Sequence, residues 1–215
     1  DDSPPPPTGG EAVVWTRGTG VTASGSTVTR NVPGSQLYWN AGAVSTRAIG
    51  SGDGYVEFSA SPSPGAIAAG LGVGDTNVSF TDIEFAVFFW TNGSAYVYES
   101  GTWTASLGAY TPTDRFRVGV EGGKVKYWKN GVVAFQSAKT PSYPLLVDAS
   151  IDTTSGVVGN AVLFGANLVE AIPVVENVLW THAAGVTVNG NTLTRSTPGG
   201  QLYWNAGAVS TRGIP

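Results

Sequence analysis

The sequence predicts an all-β protein, a sandwich of two antiparallel sheets, and three observations carry that prediction. Charged residues make up only 12% of the chain, while 30 glycines, with abundant Ser and Thr, fill the places usually held by Lys and Glu. Turns need Gly, and strands favour Thr, Val and aromatic residues. Strand and turn signals alternate almost without break after residue 12, giving roughly a dozen short strands before residue 170, a density that suits two packed sheets. Helical periodicity is missing, and the Gly65 to Gly74 stretch is too rich in glycine to hold a helix.

The clearest element is the hairpin pair from Arg115 to Ser137. FRVGVEG places Phe116, Val118 and Val120 on one face and Arg115, Arg117 and Gly119 on the other. Gly122-Gly123 turns the chain, KVKYWK returns it, and Asn130-Gly131 turns it again into VVAFQS. A second hairpin joins IEFAVFFW to AYVYES through Thr91-Asn92-Gly93-Ser94. A late strand is expected from Ala161 to Val169. Tyr127 and Trp128 are neighbours on one strand and so point to opposite faces.

The chain also carries a second copy of its own beginning. Residues 13–49 read VVWTRGTGVTASGSTVTRNVPGSQLYWNAGAVSTRAI, and residues 178–214 read VLWTHAAGVTVNGNTLTRSTPGGQLYWNAGAVSTRGI. QLYWNAGAVSTR is identical in both, and self-similarity at an offset of about one domain marks a tandem array. In each copy, strands from Trp15 to Thr22 and from Thr27 to Arg30 are expected to flank a turn at Ser24-Gly25-Ser26, matched by Asn189-Gly190-Asn191; Gln36 to Trp39 and Val44 to Ile49 follow. The expected organisation is a Pro-rich spacer (1–12), a sandwich domain (13–170), a linker (171–177, AIPVVEN) and a partial second repeat (178–215). A second set of opening strands competes for the slots of the first, which is the sequence condition for strand exchange and head-to-tail association with other copies of the repeat. Trp180, Leu202, Tyr203, Trp204 and Val209 are the candidate assembly residues.

Composition narrows the partners. A net charge of −4 with only 11 scattered Lys and Arg argues against nucleic acid. No apolar run reaches membrane-spanning length. Cys and Met are both absent, which excludes thiolate chemistry and suits exposure to oxidants outside a cell. DDSPPPPTGGE has no apolar core and does not read as a signal peptide. An extracellular or cell-surface location in a bacterium is the expectation. The sequons at Asn77 and Asn92 are then coincidental.

Several segments together resemble one family: WNAGAVSTRAI-SGDGYVEFSAS, AGLGVGD, YVYESG, DRFRVGVEGGKVKYWKNGVVAFQS and YPLLVDASI. The set is similar to the concanavalin A-like jelly roll as it occurs in laminin-G-like and SPRY-like modules. That resemblance spans nearly all of residues 13–170. It implies a fold that hosts lectins, glycosidases, adhesins and structural modules, so function must come from the residues.

Catalysis is not expected. His182 is the single histidine, and its counterpart in the first copy is Arg17, so the complete domain has none. Asp82 and Glu84 in T-D-I-E-F would share one face of a strand, as the paired carboxylates of jelly-roll glycosidases do, but the third carboxylate of that pattern is missing. No cofactor is expected; calcium, which relatives bind through loop oxygens, is the alternative. The loop acids Asp53, Asp75, Asp114, Asp148 and Asp152 form no D-x-D-x-D cluster, and Asp53 reads as a turn residue. The aromatics carry more information. Tyr96, Tyr98, Trp103 and Tyr110 crowd one hairpin, and Trp103 and Tyr110 lie near turns where they would be exposed. They form a candidate platform for stacking on glycans. The leading expectation is an extracellular structural or adhesive repeat that assembles end to end, with a carbohydrate-binding module as the alternative.

Overall fold

A computed structural model of the chain describes residues 10–33, 38–62, 64–171, 179–190, 192–196 and 206–210. Its strands in chain order are β1 (Glu11–Ala12), β2 (Trp15–Thr19), β3 (Val21–Ser24), β4 (Thr27–Arg30), β5 (Gly42–Ile49), β6 (Gly54–Ser61) and β7 (Ile67–Gly72). A 3-10 turn at Phe80–Asp82 precedes β8 (Phe85–Phe89), β9 (Ser94–Glu99), β10 (Thr102–Ala109), β11 (Phe116–Glu121), β12 (Lys124–Lys129) and β13 (Val132–Gln136). Then come β14 (Leu145–Ile151), β15 (Val157–Gly165) and β16 (Leu168–Glu170), followed by β17 (Trp180–Ala184), β18 (Val186–Asn189), β19 (Thr192–Arg195) and β20 (Gly207–Ser210).

Two antiparallel sheets build the sandwich. The first runs β13-β12-β11-β6-β15-β4-β3 with β1 added on β15; the second runs β10-β9-β8-β7-β14-β5-β16 with β2 added on β5. The hairpins of residues 115–137 form as their turn residues demand. Gly122 and Gly123 have φ of 59° and 72°, and Asn130 and Gly131 have 51° and 81°. These left-handed angles match the twist of flanking strands, which is why Gly-Gly and Asn-Gly occupy such turns.

Strand alternation places the core. Val56 and Phe58 of β6 and Phe116, Val118 and Val120 of β11 face Ile67, Leu71, Val87, Phe89, Leu145 and Val147 of the second sheet, all buried. Phe89 sits at the centre, with ring centroids 4.7 Å from Tyr110, 4.9 Å from Phe116 and 6.4 Å from Phe58. Tyr127 and Trp128 do point to opposite faces, yet both are buried: Tyr127 in the core and Trp128 under the Arg117 guanidinium, 5.7 Å from its ring.

Four expectations about elements need correction. The strand foreseen over residues 161–169 is two, because the chain leaves the first sheet at Gly165 and re-enters the second at Leu168. The strand foreseen over residues 15–22 is also two, in different sheets: β2 pairs β5, and β3 pairs β4. The crossing is made at Gly20, whose φ of 62° only glycine adopts freely and whose missing Cβ leaves room for Ala41 and Val32. Tyr38 and Trp39 lie outside any strand, and Gln36 lies outside the described residues. The sandwich starts before residue 13, since Glu11 and Ala12 pair with β15.

The chain divides into two compact units, residues 1–172 and 173–215. Within the second, β17 pairs β20 and β18 pairs β19, repeating β2 with β5 and β3 with β4. No helix among the described residues is long and apolar enough to cross a membrane.

Replacing a central aromatic is expected to be severe. Phe89→Ala should lower the unfolding free energy by about 3–5 kcal/mol, whereas Val132→Ala on the exposed edge strand β13 should change it by less than about 0.5 kcal/mol. Denaturant titration of the two variants beside the parent checks both values.

Candidate functional site: an aromatic pocket on the outer face of the second sheet

β8 reads FAVFF and is buried at every position. Phe85, Val87 and Phe89 face the core, so Ala86 and Phe88 must face outward. A cover of aromatic rings forms over them. Phe88 is its hub, with ring centroids 4.3 Å from Tyr98, 5.0 Å from Phe80, 5.2 Å from Trp39 and 5.5 Å from Trp90.

Each ring is placed by a different element. Tyr96 and Tyr98 alternate on β9 and stand beside Phe88 and Ala86 through the register Phe88↔Tyr96 and Ala86↔Tyr98. Trp103 on the edge strand β10 lies opposite Tyr98. Trp90 follows β8 directly, and Phe80 comes from the 3-10 turn, which Ser79 caps through its hydroxyl. Trp39 is held by the segment that Arg30 organises. Arg30 is only 2% exposed. Its guanidinium donates to the carbonyls of Val32 (3.2 Å) and Pro33 (2.9 Å), to Asn40 Oδ1 (2.8 Å) and to the Ile151 carbonyl. A buried charge needs such a full set of acceptors.

Between these rings lies an open cavity of about 610 Å³, lined by Trp39, Phe80, Phe88, Trp90, Tyr96, Tyr98, Trp103 and Asn92. That size is typical of small-molecule sites, as is an apolar lining with a few polar groups. Asn92 Nδ2 donates to the Tyr96 hydroxyl at 2.8 Å, which fixes both groups at the rim. Trp103 is 56% exposed.

Three of the four aromatics singled out from the sequence, Tyr96, Tyr98 and Trp103, therefore line one pocket. Tyr110 does not. It is 4% exposed, packs on Phe89 and donates its hydroxyl to the Pro62 carbonyl at 3.0 Å, so it is a core residue. The sequence reading missed Trp39, Phe80, Phe88 and Trp90 as members of the site. For Phe88 and Trp90 a signal existed: if Phe89 faces the core, its two neighbours face outward.

Asp82 and Glu84 do not share a strand face. Asp82 ends the 3-10 turn, and its carboxylate accepts from Thr76 N at 2.8 Å and the Thr76 hydroxyl at 2.5 Å; Glu84 accepts from Val73 N at 2.7 Å. Both carboxylates thus pin the loop of residues 73–79, whose Val78 carbonyl also accepts from the Ser150 hydroxyl at 2.7 Å. Asp75 in this loop lies 3.6 Å from Arg17. Asp53 accepts from Gly122 N at 3.0 Å, and Asp114 from Thr111 N at 2.9 Å. Among the described residues, no three acidic or histidine side chains are arranged to hold a metal ion. His182 is exposed with φ of 49°, and Arg17, its counterpart, has 50°, so both occupy the same irregularity of the repeated strand. Trp180 and Val209 lie on β17 and β20, whereas Leu202, Tyr203 and Trp204 lie outside the described residues.

Asp148 stands on the outward face of β14, opposite Gly70 and Val44. It is 4% exposed, and its Oδ2 has no hydrogen-bond partner among the described residues. Burial, with Asp75, Asp82 and Glu84 nearby, raises its pKa well above the ordinary carboxylate value.

No protein-family model matches the chain, and no curated protein matches it. Solved structures do. The carbohydrate recognition domain of Emp46p in its potassium-bound form aligns with a TM-score of 0.51 at 15% identity, covering 70% of this chain and 88% of that one. A human SPRY domain aligns at 0.51 and 15%, covering 69% and 96%. The fold is the concanavalin A-like jelly roll. The TRIM65 PSpry domain shares this jelly roll as well, at 0.51 and 11%, covering 72% of this chain and 90% of that one. At such identities the jelly-roll likeness is one of architecture.

The raised pKa of Asp148 makes a stability prediction. The native state holds a proton that the unfolded chain releases in the ordinary carboxylate range, so stability falls as pH rises from there through the folded pKa. Asp148→Asn should remove this loss: at neutral pH the variant should match or exceed the parent in Tm, and its Tm should decline less between acid and neutral pH. Scanning calorimetry across that range checks it.

Proposed function

We propose that the chain is a carbohydrate-binding β-sandwich module and that the aromatic pocket is its glycan site. The observation that carries this reading is the pocket itself: Trp and Tyr rings lining a cavity on the outer face of a sheet. Sugar rings present apolar C–H faces that stack on such surfaces, while hydroxyls at their edges need donors and acceptors of the kind Asn92 and the tyrosines supply. The structural likeness to a carbohydrate recognition domain supports it. A module without sulfur residues fits a lumenal, extracellular or cell-surface setting, where glycans are displayed. The rows of carboxylates used to pin loops favour binding over hydrolysis.

A second reading, end-to-end assembly through the repeated segment, has one observation in its favour. Val44 is 1% exposed on β5, whereas its counterpart Val209 on β20 is 61% exposed. The second copy thus carries a strand residue that the first copy covers with neighbours from the sandwich.

Two measurements separate these readings. Trp103→Ala, at a position 56% exposed, should weaken binding of a glycan found by array screening by about tenfold, or about 1.4 kcal/mol, in titration calorimetry. Unchanged affinity would remove the pocket from consideration. Light scattering of the full chain over a range of concentrations should show a mass independent of concentration if the module acts singly. Ladders that disappear in Val209→Asp would establish assembly instead.

A further inference from the structure

Among the described residues, the pocket lining carries no charged side chain, and several acids lie beside it. Phe80, which forms one wall, shares its 3-10 turn with Asp82, and Glu84 follows two residues later. Asp75 lies in the loop that Asp82 and Glu84 pin. Arg17 pairs with Asp75 at 3.6 Å. On the far side, Glu84 and Lys139 line a smaller cleft of about 340 Å³, where Lys139 lies 3.7 Å from the buried Glu99 carboxylate. Both cations are thus already engaged by acids, whereas Asp82, held by the backbone N–H and hydroxyl of Thr76, and Glu84, held by the Val73 N–H, have no ion pair among the described residues.

Resting on the glycan reading above, we infer that the pocket selects by charge: it takes a glycan bearing protonated amino groups in preference to its neutral N-acetylated form, and rejects one bearing carboxylates. Two effects act in the same direction. Indole and phenol faces attract an ammonium group through their ring quadrupoles, most strongly where water is excluded. Asp82 shares the 3-10 turn of Phe80, and a carboxylate's potential carries over about 8 Å at physiological salt, so the acids beside this wall favour a cation in the pocket over an anion. A uronate would meet both effects with the wrong sign and finds no Arg or Lys to pair with among the described residues of the lining.

The test uses three oligosaccharides of equal length and linkage: glucosamine, N-acetylglucosamine and a uronic acid, in mildly acidic buffer where the amines are protonated. Calorimetric titration of the full chain should rank them in that order. The amine form should bind about threefold or more tighter than the N-acetyl form, and the uronate should give no measurable heat. Raising the salt concentration should compress the difference without loss of the neutral ligand, because screening acts on the distant carboxylates and leaves stacking intact. Asp82→Asn combined with Glu84→Gln, which keep the shape of both acceptors, should narrow the same gap, while Trp103→Ala should weaken whichever ligands bind. Equal affinities, or a uronate that binds best, would overturn the charge selection and leave the glycan site standing. Silence from all three, together with no response to Trp103→Ala in array screening, would overturn both.

Discussion

A strand that is apolar on both faces governs this molecule. β8 spends Phe85, Val87 and Phe89 on the core and leaves Ala86 and Phe88 on a surface that would otherwise meet water. Burying one more phenylalanine gains roughly 1.5–3 kcal/mol relative to leaving it exposed, so the chain must supply a lid. It draws that lid from distant places: Trp39 before β5, Phe80 from the turn before β8, and Tyr96 and Tyr98 from β9. Large flat rings crossing at angles from 24° to 67° around Phe88 cannot close a surface completely. What they leave is the pocket. The feature proposed to bind a ligand is thus the residue of an imperfect solution to a packing problem, and the same rings serve stability and recognition.

The lid in turn depends on buried polar groups that organise loops. Arg30 gathers Val32, Pro33 and Asn40 around one guanidinium and ties them to the end of β14 through the Ile151 carbonyl. Removing it would leave several acceptors unmet at a cost that exceeds the loss of any one hydrogen bond. Asp82 and Glu84 do comparable work for the loop of residues 73–79. Acids chosen from the sequence as possible catalysts are therefore best understood as loop anchors, and their charge acts on the pocket from outside it.

How far the fold could be read from the sequence follows from which signals are local. Alternation within a strand and the residues of a tight turn are local, so the hairpins of residues 115–137 were legible, as was the burial of Phe116, Val118 and Val120. Changes of sheet are not. At Gly20 and between Gly165 and Leu168 the chain moves from one sheet to the other, and only the strands packed alongside reveal it. For the site, Tyr96, Tyr98 and Trp103 were accessible because they share one hairpin. Tyr110 misled because a position beside a turn says nothing of whether a ring folds inward over Phe89. Trp39 and Phe80 come from irregular segments, where no period exists to read.

The repeat shows the same limit from the other side. Residues that are identical in both copies have different surroundings: Val44 is covered and Val209 is not, and Arg30 is buried where Arg195 is exposed. Pairing within each copy is retained, β17 with β20 and β18 with β19, so the repeated segment by itself specifies those pairings. Two-stranded ribbons are marginal by themselves in water. In the first copy, β14 and β16 flank β5 and β15 flanks β4, and these partners convert ribbons into sheets. Burial of the repeated strands is therefore a property of the body they dock on rather than of their own residues. In the first copy that body is met in the register Asp148↔Val44 and Ala149↔Ala43, which sets the depth at which β5 is covered.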